Sequence, residues 1–332
     1  MDNSILINNV QIFDGSSEQT GRGNVLVVNS RIKTVSESPI PTDGIPNVTI
    51  LDGKGKFLMP GLIDAHWHAY MSCNTMMDLL TADTAYTQFK AGQEARATLL
   101  RGFTTIRDAG GPVFGLKRAI DEGILSLYDR LEDTQFFEEE IHAAVKAAED
   151  AGTYVMVHVY VPRAIQRAIH AGVKSIEHGH LIDEPTMQLI AEKEIWLSMQ
   201  PFTLGDNQFP TKEQQEKHAL VVQGTDQTYQ LAKKYNVKLA WGTDLLFNPA
   251  NTKNQNQGIL KLRQWFSNFE ILKMVTHDNA ELLALSGARN PYPGKLGVIE
   301  EDAWADLILV DGDVLKDITL LGDPEKNSIM IM

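Results

Sequence analysis

The sequence has a single cysteine, Cys73, in 332 residues, which excludes an intramolecular disulfide framework and any zinc cluster built on cysteine. A bound metal must therefore be held by histidine and carboxylate. No apolar run approaches the ~18 residues that a membrane helix needs, and hydrophobic residues make up an ordinary 43%. Positive charge is also short, with 30 Lys and Arg against 43 Asp and Glu and a formal net charge of -13. Such a field repels phosphate backbones and anionic lipid, so neither nucleic acid nor membrane is an expected partner. The start, Met1-Asp2-Asn3-Ser4-Ile5-Leu6-Ile7, lacks the basic segment and apolar core of a signal peptide, and a cytoplasmic location is expected. The length calls for one barrel-sized domain or a domain pair rather than a small module.

What is present divides into three stretches. Residues 1–57 read as short strands at Ile5–Val10, Asn24–Val28, Arg31–Val35 and Val48–Leu51, with turns such as Asp14-Gly15 and Asp52-Gly53 between them. From Phe57 apolar runs alternate with amphipathic stretches, the pattern of strands crossing over through helices to a parallel sheet. Barrel-type strands are expected at Leu58–His66, Thr104–Asp108, Tyr154–Val159, Ser175–His178, Trp196–Met199 and Lys238–Thr243. Helices are expected at 83–101, 137–151, 162–171, 184–194, 212–235 and 270–285, the fourth with Asp183 as N-cap and Pro185 in its first turn. After Leu285 strands return, clearest at Ala305–Val310, so the two chain ends (1–57 and 286–332) are expected to form a small β domain beside a barrel domain at 58–285.

Histidine placement is the strongest chemical signal. His66 and His68 stand two apart at the end of an apolar run, and in a strand such residues share a face, so both imidazoles can converge on one metal. The spacing suits zinc. His158, His178 and Asp244 each follow a later strand, and in a (β/α) barrel the strand ends carry the functional groups. Any one of the five has an ordinary structural explanation; together they mark a metal site. His142, His170, His218 and His277 fall in helical stretches and are assigned no role. His180, two residues past His178, and Tyr160, two past His158, are candidate substrate contacts.

With these motifs in view, the chain resembles the metal-dependent amidohydrolase superfamily. The resemblance runs through Pro60–His68, Gly102–Gly111, His158 with Tyr160, Ser175–Gly179, Gly242–Asp244, Gly294–Ile299 and Ala305–Gly312. It is nearest to the imidazolonepropionase-like branch that includes Xaa-Pro dipeptidases and carboxypeptidases acting on basic residues. The resemblance implies a TIM barrel flanked by a small β-sandwich of both chain ends, with one or two divalent metals, usually zinc. It implies that His66, His68 and Asp244 bind the more buried metal and His158 and His178 the second, with Asp244 as the proton acceptor and donor. A small-molecule or peptide substrate is the expected partner, and assembly as a homo-oligomer stays open.

One departure stands out. The branch carries a carboxylated lysine on its fourth barrel strand as a bridge between the metals, and the third and fourth strands have no counterpart between Leu125 and Thr134. Two absent units of ~30 residues each account for the short chain. Lys90 and Lys146 lie in helical patterns and do not replace the bridge; Glu132 or Asp133 is the remaining candidate. An α/β barrel of TIM type, incomplete with six recognisable strands, is the expected fold. The leading function is hydrolysis of an amide bond in a dipeptide or N-acyl amino acid. The alternatives are a one-metal deaminase or cyclic-amide hydrolase, and a catalytically impaired remnant.

Overall fold

A computed structural model describes residues 4–110, 136–203, 212–290 and 293–332. The expected join between Leu125 and Thr134, with Glu132 and Asp133, lies outside the described residues.

Both chain ends meet in one continuous sheet of seven strands: β1 (Ser4–Ile12), β2 (Gly21–Val28), β3 (Arg31–Ser36), β4 (Val48–Asp52), β5 (Phe57–Pro60), β12 (Leu307–Val310) and β13 (Ser328–Ile331). β1 pairs with β4 up to Asn8 and with β5 from Gln11 onward. The sheet buries Ile7, Val10, Val25, Val27, Ile32, Leu58, Leu307 and Leu309 as its own core.

The expected first barrel strand, Leu58–His66, is two strands. β5 joins the small sheet through β12, and β6 (Leu62–Trp67) joins the barrel. Gly61 is the break, and a Cβ there would lie 2.0 Å from the Thr104 hydroxyl, so only glycine lets the chain turn this close to its neighbour.

Six parallel strands carry the barrel among the described residues. β6 pairs with β7 (Phe103–Asp108), and β8 (Met156–Val159), β9 (Ser175–His178), β10 (Trp196–Met199) and β11 (Leu239–Trp241) form a second ladder. Helices lie between them at Thr84–Leu100, Glu138–Asp150, Pro162–His170, Glu184–Glu192 and Lys212–Lys234. Asp83 caps the first through the Ala85 amide, and Asp183 caps the fourth through Thr186, with Pro185 in its first turn as expected. Met59, Leu62, Phe103, Ile165, Ile176, Leu197 and Trp241 build the core between strands and helices.

β11 closes against β6. The Asp244 amide donates to the His66 carbonyl at 2.9 Å, and a Cβ on Gly242 would fall 2.2 Å from that of His66. Asn279 fastens the pair: its amide donates to the carbonyls of Ile63 (2.6 Å) and Trp241 (2.9 Å), and its oxygen accepts from the Trp241 amide. Asp64 adds a buried carboxylate that accepts from the Thr243 hydroxyl at 2.7 Å and from Gln255 at 3.0 Å. No backbone ladder joins β7 to β8 among the described residues.

Candidate metal centre

The strand ends bring all five expected ligands together. The ligand atoms of His66, His68 and Asp244 lie within 4.8 Å of one another, and those of His66, His158 and His178 do as well, so His66 belongs to both groups. His66, His68 and His178 are buried, the Asp244 side chain is 11% exposed, and His158 is exposed. The backbone is bent to achieve this. His178 has φ 76° and Asp244 φ 50°, left-handed values that few non-glycine residues adopt and that cluster where a site demands them. At His178 the bend has a plain geometric use: strand alternation would send consecutive side chains to opposite faces, yet Glu177 and His178 both serve the same cluster.

The imidazoles are set for a cation. Each spends one nitrogen on a fixed acceptor, which holds the proton there and leaves the other nitrogen with a lone pair. His66 Nδ1 donates to Glu177 Oε2 at 2.8 Å, His68 Nδ1 to the Gly110 carbonyl at 2.7 Å, and His178 Nδ1 to Gln200 Oε1 at 2.8 Å. His158 donates through Nε2 to the Ala109 carbonyl at 3.3 Å. The inward nitrogens then lack donors. His66 Nε2 is buried with no hydrogen-bond partner, 3.4 Å from Asp244 Oδ1. His68 Nε2 lies 3.1 Å from the same oxygen. His158 Nδ1 and His178 Nε2 face each other at 3.0 Å, two lone pairs that repel unless a cation or proton sits beside them. Histidine nitrogen with one carboxylate oxygen is a donor set that fits zinc.

The electrostatics agree. Burial would lower the His66 imidazole, but the Asp244 and Glu177 carboxylates on its two sides outweigh it and lift it to about 9, so without a metal a proton takes the place a cation would hold. Asp244 is buried, which alone would raise it; His66 and His68 more than offset that and keep it ionised well below the usual carboxylate range. Burial pushes His178 down to about 3 and His180 to about 4, so both stay neutral near pH 7 and His178 keeps a free lone pair.

Tyr160 lies flat against His178, with ring centroids 4.8 Å apart and planes 6° from parallel, and burial pushes its hydroxyl up. His180 is outside both ligand groups: it is buried, bonds the Gln200 carbonyl through Nε2 at 2.9 Å, and stacks on Phe202. His142 and His170 are exposed on helices.

Two residues of the site carried no role in the sequence reading. Glu177 is wholly buried, with Arg107 Nη2 2.7 Å from both of its oxygens, the Ser175 hydroxyl at 2.7 Å and His66 at 2.8 Å. Arg107 also donates to Tyr154 Oη at 3.0 Å and to the Ala65 carbonyl. Both stand inside motifs already singled out, Arg107 in Gly102–Gly111 and Glu177 in Ser175–Gly179.

The model of the amidohydrolase family matches residues 57–129 and 123–330. Ochratoxinase of Aspergillus niger is 29% identical over 208 residues, covering 61% of this chain and 42% of that protein, so the match spans less than half the length of this curated relative. A solved prolidase in complex with N-methylphosphonate-L-proline superposes with a TM-score of 0.85 at 25% identity, covering 99% of this chain and 98% of the other. The solved A. niger ochratoxinase gives 0.81 at 20% identity, covering 98% and 93%, and attests the fold alone. With the family model matched along most of the sequence, on top of the barrel and its histidine cluster, the chain belongs to the amidohydrolase family.

Proposed function

We propose that the chain hydrolyses an amide C–N bond in a dipeptide or N-acyl amino acid. The observation that carries this reading is the convergence of four imidazoles and Asp244, each imidazole held by an outer acceptor with its second lone pair turned inward. When bound, a divalent cation, proposed as zinc, supplies Lewis acidity that polarises a scissile carbonyl and makes water a stronger acid near neutral pH. His66, His68 and Asp244 are the residues proposed to hold it most firmly, with His158 and His178 in the second group that shares His66. Asp244 is ionised and faces the ligand cluster, so it can take one proton from the attacking water and pass it to the leaving nitrogen. The water oxygen adds to the carbonyl carbon, the C–N bond breaks, and a carboxylic acid and an amine leave. Tyr160 and His180 are proposed to line the substrate side, Tyr160 through its ring beside His178.

One curated relative is an ochratoxinase and one solved neighbour a prolidase bound to N-methylphosphonate-L-proline, which supports hydrolysis of a C–N bond and leaves the substrate's side chains open. The test is a screen of Xaa-Pro and other dipeptides and N-acyl amino acids with the zinc- or manganese-loaded chain, read as free amino acid. Release that disappears in Asp244→Asn supports the reading. Ammonia from aminopurines or cyclic amides in place of amino acid would overturn it in favour of a deaminase or cyclic-amide hydrolase.

One observation favours an impaired enzyme as a second reading. The β7 edge is unpaired among the described residues, and Met77, Leu80, Tyr86, Phe89, Phe136 and Phe137 are exposed. Open strand edges and apolar surface promote self-association. Metal binding without turnover, in protein that aggregates on sizing, would support it.

A further inference from the structure

Arg107 occupies an unusual place. It rises from β7, which has no ladder to β8 among the described residues, yet its guanidinium touches three other parts of the ring: Glu177 on β9 at 2.7 Å, Ser198 on β10 at 3.4 Å and Tyr154 just before β8 at 3.0 Å, while Nε donates to Ala65 on β6. Its main partner is Glu177, whose two oxygens are fully claimed: Oε1 by Ser175 and Arg107, Oε2 by Arg107 and His66 Nδ1. A buried carboxylate held at this many points cannot rotate, and neither can the ring that donates to it.

We propose that Glu177, clamped by Arg107, is a positioning residue of the metal centre. It fixes the rotation and tautomer of His66 so that Nε2 points into the shared corner of both ligand groups, and Arg107 lets β7 set metal affinity without supplying a ligand. His66 is the residue for which this matters most, because it is common to both groups. Partners of metal-ligating histidines commonly contribute ~10–100-fold in affinity. The inference rests on the metal site of the proposed function.

The test is cobalt(II) binding by the metal-stripped full chain, read by visible absorption and by competition with a chelator. Glu177→Gln can still accept from His66 but loses the charge and the Arg107 clamp, and is expected to bind ~10–100-fold more weakly with an altered absorption band. Ser175→Ala removes one bond to Glu177 and should give a smaller loss of the same kind. Ile32→Ala leaves a cavity in the core of the small sheet, away from the candidate ligands, and should lower melting temperature while sparing cobalt affinity. Wild-type affinity in Glu177→Gln would overturn the proposal; so would an equal affinity loss in Ile32→Ala, which would make the effect a general one of stability. Should Glu177→Gln fail to fold, Ser175→Ala decides alone, and unchanged affinity there overturns the proposal. A wild-type chain that takes up no cobalt would instead remove the proposed function itself, and this inference with it.

Discussion

On one side of the candidate metal centre β6 and β11 carry His66, His68 and Asp244 and are tied to each other by the Asp244 amide, the Asn279 clamp and the Asp64–Thr243 bonds. On the other side β7 and β8 meet with no backbone ladder among the described residues, and side chains span the distance: Arg107 to Tyr154, and His158 to the Ala109 carbonyl. The ligands differ in the same sense. His66 and His68 are buried with outer nitrogens held at 2.8 Å and 2.7 Å, whereas His158 is exposed and its bond to the backbone is 3.3 Å. Preorganised ligands lose less freedom on binding, so the two sides should hold a cation with unequal strength although both present histidine.

The largest expected effect falls on the firm side. Asp244→Asn keeps the size but gives a poor base and a weaker ligand; steady-state hydrolysis of the best substrate should drop by at least the ~10²–10⁴-fold that general-base catalysis commonly contributes. Wild-type turnover in Asp244→Asn would remove its proton-transfer role.

Next is a direct comparison of single ligand deletions. His66→Ala should weaken zinc binding by more than the ~10–100-fold that partners of ligands are worth, and His158→Ala by ~10-fold or less. Isothermal titration of the stripped chain gives both numbers, and equal losses would erase the asymmetry.

A smaller effect concerns acid. His180 stays neutral in the fold down to about 4, while in the unfolded chain it takes a proton near 6.5. The unfolded state therefore binds the proton first, and stability present above pH 6.5 is lost as pH falls toward 4, by on the order of 3 kcal/mol for this group. His178 acts with the same sign down to about 3. His66 acts in the opposite sense: being raised, it contributes stability below 6.5 that is lost as pH climbs through about 9. Melting temperatures of the metal-free chain across this range should fall on both flanks, and His180→Gln should flatten the acid one.

How much of this was legible beforehand depended on the kind of signal. The His66/His68 pair, the strand-end positions of His158, His178 and Asp244, and the Asp183 cap could be read because each is a local pattern with a fixed geometric meaning. The split of Leu58–His66 at Gly61 could not, since the run stays apolar and the reason for the break is a neighbour, Thr104, forty residues on. Glu177 is not legible in the sequence, because alternation assigns it to the face opposite His178 and the left-handed φ at His178 brings both into one cluster.

The central claim is that one divalent ion is held firmly, by the β6–β11 side. Elemental analysis of the purified chain after dialysis, beside the His66→Ala/His68→Ala double variant, tests it most directly. The account predicts one zinc-like ion per wild-type chain and nearly none in the double variant. Two firmly held ions in the wild type, or metal content unchanged by the double substitution, would contradict it.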